Sequence, residues 1–67
     1  MNSSNVRYAK NLQDHFKILI IQVRNLDDKM FFMEQFEQAL SVLDRQKMWE
    51  HIGALVKYNR EQADARA

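Results

Sequence analysis

Between Leu12 and Leu26, the apolar residues Leu12, Phe16, Leu19, Val23 and Leu26 return at spacings of four, three, four and three. At about 3.6 residues per turn, those positions share one side of a helix. Ile18 and Ile21 lie in the same stretch but fall on the other side. A helix that is apolar on two faces needs more than one packing neighbour. Whatever the chain folds into, it is built around this segment. With a single glycine and no proline in 67 residues, a turn-rich β fold is the wrong alternative. Hydrophobic residues make up 46% of the chain, more than a disordered tail carries.

The rest of the chain divides by its cap signals. Residues Met1 to Ser4 read as a frayed start, with Ser3, Ser4 or Asn5 available to cap a first helix over about residues 5–24. Ala9 extends its seam backwards and Tyr8 sits near the edge. Asn25 suits the left-handed residue that ends a helix. Asp27 then reads as the N-cap of a second helix over 28–43, with Leu26 and Phe31 at the spacing of a hydrophobic staple. Its expected buried face is Phe32, Met33, Phe36, Ala39, Leu40 and Leu43. The step of five from Leu43 to Met48 breaks the helical phase. Asp44 is a plausible cap there, with Ser41 and Asp44 as a weaker capping box. A third helix follows over 45–62, facing inward with Met48, Trp49, Ile52, Leu55, Val56 and Asn59. The tail EQADARA has no apolar stripe and is expected to fray. The fold class is therefore all-α: a small three-helix bundle forming a single domain over residues 1–67. The alternative is a helical hairpin whose second arm is one long bent helix. Four i,i+4 ion pairs (Lys10–Asp14, Arg24–Asp28, Lys57–Glu61, Arg60–Asp64) mark wet faces.

Chemistry is hard to assemble from these residues. Cysteine is absent, which removes thiol nucleophiles, disulfides and the usual zinc frameworks, and suits a reducing compartment. His15 and His51 have acidic sequence neighbours, but adjacent helical residues point about 100° apart and do not face each other. HExxH and Gly-rich phosphate loops are missing. The expectation is a non-enzyme with no metal and no cofactor. No segment is long and apolar enough to span a bilayer, and MNSSNVRYAK is too polar for a signal peptide. The expected compartment is the cytoplasm.

What remains is binding. A chain this short buries only roughly 60% of its unfolded surface, and association is the remaining supplement once disulfides and metals are set aside. Ile18, Ile21, Phe31, Val42 and Tyr58 all fall off the main seam of their helices. Together with Lys17 and Arg24 as charged neighbours, Ile18, Ile21, Phe31 and Tyr58 form the candidate partner-binding set, an apolar patch rimmed by charge. The expected partner is another protein, and a homodimer pairing the first helix with its symmetry mate is one form of it. A regulator or inhibitor that occludes its partner fits this description. Bacteria and their phages encode tiny single-domain proteins of that kind. A dedicated chaperone of a secretion component is an alternative. A nucleic-acid-binding regulator is another, because Arg7, Lys10, Lys17 and Arg24 line the polar side of the first helix. Against it, Asp14 interrupts that stripe, Ile18 and Ile21 sit within it, and the net charge is only +1. The stretch QALSVLDRQKMWEHIGALVKYNRE lacks the turn glycine customary in a helix-turn-helix.

Overall fold

The computed structural model describes residues 3–66, with side chains from Val6 onward. It has three helices, α1 (Ser3–Ile20), α2 (Leu26–Ser41) and α3 (Arg45–Arg66). The three-helix bundle is therefore the fold, and the single bent arm is not. Arg45 stacks over the Tyr8 ring at 4.1 Å at one end, and Asn59 reaches Leu19 at the other. These contacts make α1 and α3 parallel. Tyr58 meets Asp28 at the start of α2, so α2 runs the opposite way, up-down-up.

The boundaries differ from the expected ones for identifiable reasons. α1 begins at Ser3, inside the segment expected to fray. The start at Met1 and Asn2 and the cap from Ser3, Ser4 or Asn5 lie outside the described residues and side chains. α1 ends at Ile20, four residues short of Arg24. The backbone N–H groups of Gln22 and Val23 donate to the carbonyls of Leu19 and Ile20 at 3.2 and 3.1 Å, closing a tight last turn. The Asn59 amide also donates to the Leu19 carbonyl at 3.0 Å, so a side chain from α3 adds a second hydrogen bond to this end of α1. Val23 then turns inward and is buried, though not as a helical residue.

Asn25, not Asp27, caps α2. Its backbone is extended (φ −71°, ψ 119°) rather than left-handed, and its Oδ1 accepts from the Asp28 N–H at 3.0 Å. Leu26 is thereby the first helical residue instead of the one before the cap. The staple with Phe31 has lost its geometry, and both side chains are more than half exposed. Asp27 and Asp28 sit in the first turn, where negative charge meets the positive end of the helix dipole.

The link from α2 to α3 is a Schellman motif. The Asp44 N–H donates to the Ala39 carbonyl and the Leu43 N–H to the Leu40 carbonyl, both at 3.0 Å, the 6→1 and 5→2 pattern of that cap. Glycine usually occupies its left-handed position; here Leu43 does, with φ 52°. Asp44 caps α3 as expected, its Oδ1 accepting from the Lys47 N–H at 3.1 Å. Ser41 instead donates to the Gln38 carbonyl at 2.8 Å, so the rival capping box does not form. α3 continues to Arg66, beyond Gln62. The tail expected to fray is helical, as its Ala, Glu, Gln and Arg content favours.

The core draws on all three helices. Ala9, Leu12, Phe16 and Ile20 come from α1, Val23 from the turn, Phe36 and Ala39 from α2, and Met48, Ile52 and Leu55 from α3. Phe16 and Phe36 stack with centroids 4.2 Å apart and planes 8° from parallel. Tyr8, Leu19, Phe32, Leu40, Val56 and Tyr58 pack around this centre, half-buried. Four expected core positions are not core. Leu26, Met33, Leu43 and Trp49 are exposed. Ile20, left off the expected seam, is buried. α3 packs on both other helices, whereas α1 and α2 touch each other least and leave a groove between them.

Candidate interaction surface

The sequence-predicted residues gather at one end of the bundle, where α1 finishes, α2 begins and the second half of α3 passes. Ile18 is 61% exposed on the side of α1 opposite Leu12 and Phe16, and Ile21, in the following turn, is 74% exposed. Phe31 is exposed and edge-on to Phe32 (5.7 Å, 74°), and Phe32 is edge-on to Tyr58 (5.2 Å, 66°). This aromatic run connects an open surface to the seam between α2 and α3. Tyr58 is half-buried there, and its hydroxyl donates to Asp28 Oδ2 at 2.6 Å. That hydrogen bond, then burial, then the Asp28 charge hold the Tyr58 phenol above its ordinary value of 10.0. Tyr58 thus joins two helices, with only part of its surface left for a partner.

The two basic residues separate. Lys17 lines the groove between α1 and α2, whose floor is Phe16, Ile20 and Phe36 and whose opposite wall carries Met33 and Glu37. Arg24 lies in the irregular segment after α1 and borders a recess with Gln22, Tyr58, Gln62 and Arg66. The seven-residue recurrence of Lys10, Lys17 and Arg24 was a helical stripe only if α1 reached Arg24. Because α1 stops at Ile20, the stripe keeps Arg7, Lys10 and Lys17 and loses Arg24. The helical i,i+4 relation of Arg24 to Asp28 is lost with it. Val42 is exposed but belongs to the opposite end, at the α2–α3 link, away from Ile18 and Ile21.

A second apolar surface escaped the sequence reading. Trp49 is 56% exposed and opens a shallow trough between α1 and α3, lined with Ile52, Gly53 and Val56 and edged by His15, Lys57 and Arg60. Nothing lies within 4 Å of where a Cβ on Gly53 would sit, so the trough is open to solvent there. The signal was present in the sequence. Met48 and Trp49 are adjacent, about 100° apart on a helix, so both could not point at one core centre. On α2, Leu26, Met30 and Met33 form a third exposed apolar line, accompanied by Glu34 and Glu37.

Charge divides by helix. α2 carries Asp27, Asp28, Glu34 and Glu37 against Lys29 alone. α1 carries Arg7, Lys10 and Lys17 against Asp14. α3 carries Arg45, Lys47, Lys57, Arg60 and Arg66 against Glu50, Glu61 and Asp64. The near-neutral total therefore hides one acidic and two basic helices. Among the described residues, no three His, Asp or Glu side chains converge as metal ligands, and no helix is long and apolar enough to cross a membrane. Compared with known proteins, the chain matches no family model, no curated protein and no solved structure.

Proposed function

We propose that this chain is a non-enzymatic protein–protein interaction module, a regulator or inhibitor that acts by covering part of a partner protein. The observation that carries the reading is the exposure of Ile18 and Ile21, two large aliphatic side chains at the end of the bundle that also displays Phe31. Apolar surface of this kind with a charged margin is characteristic of partner sites. Lys17 and Arg24 supply cations on either side, and Tyr58 contributes the edge of an aromatic run. The absence of cysteine suits work in a reducing compartment such as the cytoplasm. As a nucleic-acid-binding factor using its first helix, the chain would have Arg7, Lys10 and Lys17 without Arg24. Its retention on heparin would then fall steeply with salt.

The test is affinity capture from native lysate with the wild-type chain and with Ile18→Asp and Ile21→Asp. The expected result is loss of the captured protein while circular dichroism remains helical, since substitutions at exposed sites usually change stability by no more than about 0.5 kcal/mol. Capture that survives both substitutions removes the reading. So does unfolding of either variant, which would show that the isoleucines hold the bundle together.

A further inference from the structure

α3 is joined to the rest of the bundle through Val42, Leu43 and Asp44 alone. Leu43 holds a left-handed backbone there, with φ 52°, a conformation that crowds its Cβ against the following carbonyl. Val42 and Leu43 are both exposed, so the link also displays two large apolar side chains that the bundle does not cover. What its shape gains is local. The Leu43 and Asp44 N–H groups donate to the Leu40 and Ala39 carbonyls, and at a surface turn water replaces such bonds at small cost. Short links under strain are where identical chains exchange segments.

The contacts that hold α3 do not depend on which copy supplies it. Met48, Ile52 and Leu55 are almost wholly buried. The Tyr58 hydroxyl donates to Asp28, the Asn59 amide donates to the Leu19 carbonyl, and Arg45 stacks over Tyr8. Each of these polar contacts joins α3 to α1 or α2, and none passes through the link. α1 and α2 touch each other least, so the pair without α3 loses most of its packing. The surface that fits a released α3 is therefore the α1–α2 pair of an identical chain. Opening asks only that Leu43 leave φ 52° for an extended backbone, while Asp44 keeps its cap on the Lys47 N–H. Extended, three residues reach about 10 Å, the distance between packed helices.

We infer that two copies of this chain exchange α3 by opening the link at Val42, Leu43 and Asp44, forming a reciprocal dimer. Each α3 lies on α1 and α2 of the other copy, and the symmetry of the exchange closes the assembly at two. The two links meet at the dyad, where Val42 and Leu43 of one copy shelter those of the other. The Ile18 and Ile21 surface is at the far end of the bundle and is the same in both forms, so exchange and partner binding are independent.

The test is refolding from urea over a range of chain concentrations, followed by sedimentation. The expected result is a second species at twice 8.0 kDa whose share grows with the concentration at which the chain refolds. Isotope-labelled and unlabelled chains refolded together then tell exchange from surface association. In the dimer, the edge-to-face contact of Phe32 with Tyr58 should appear between chains, while the Phe16–Phe36 stack stays within one chain. Leu43→Gly accepts the left-handed backbone without strain and should raise the dimer dissociation constant at least tenfold. Ile18→Asp should leave it unchanged. A chain that refolds as a single copy at every concentration overturns the inference. So does a dimer in which Phe32 and Tyr58 meet only within each chain, because its copies touch by their surfaces. A ladder of species larger than two, a Leu43→Gly chain that pairs as tightly as wild type, or pairing abolished by Ile18→Asp overturns it as well.

Discussion

Tyr58 holds α3 to the start of α2 through a hydrogen bond that requires its proton. Because Asp28 accepts that bond, the folded chain keeps the phenol protonated to higher pH than the unfolded chain does. A group whose value is raised on folding contributes its full stability below the unfolded value, here about pH 10. That contribution falls away as pH climbs through the folded value. Tyr58→Phe should therefore lower the melting temperature near neutrality and lose part of the alkaline decline. A variant whose melting temperature parallels the wild type from pH 8 to 11 would contradict this. Leu43 is the other residue under local constraint. Left-handed geometry costs a non-glycine residue roughly 1–2 kcal/mol, and Leu43 adopts it to complete the cap of α2. Leu43→Gly should raise stability by about 1 kcal/mol, or about 4–8 °C in a domain of this size. No gain in a thermal melt would mean that the half-exposed leucine side chain packs well enough to offset the strain.

At the scale of elements, much of the architecture was legible and the ends were not. Helical spacing identified Leu12 and Phe16, Phe36 and Ala39, and Met48, Ile52 and Leu55 as inward-facing, and all are buried. The phase break after Leu43 with Asp44 beyond it placed the start of α3 correctly, because that cap is local. The end of α1 was misplaced because part of what holds it is not local. Neither glycine nor proline marks Ile20, and the carbonyl at Leu19, besides the local Gln22 N–H, accepts from Asn59 on a helix forty residues away. Asn59→Ala should cost about 1 kcal/mol and speed amide exchange around Gln22 and Val23 more than in α2. Uniform exchange across both regions would argue that Asn59 does not hold this end. The candidate surface was legible where exposure followed from position on one helix, as for Ile18. It was missed at Trp49, where adjacency to Met48 allows only one of the two to point inward and the packing of α1 against α3 selects Met48.

The whole molecule works with a thin margin. At 0.05–0.15 kcal/mol per residue, a chain of 67 residues has a stability of about 3–10 kcal/mol. Phe36 is almost wholly buried and stacked on Phe16, joining α1 and α2, the helix pair that touches least. Removing a buried phenylalanine costs about 3–5 kcal/mol. Phe36→Ala should leave much of the population unfolded at 25 °C, as measured by urea titration, and a midpoint close to wild type would show that the groove collapses to refill the space. The link at 42–44 sets a further condition on the whole. If those three residues became helical, residues 26–66 would run on as one rod about 60 Å long, against a longest molecular extent of 46 Å. Phe36 and Ala39 would be carried away from Ile52 and Leu55, and within the chain only α1 would be left to cover them. A single strained elbow thus decides whether this protein keeps its helices to itself or trades them with a neighbour.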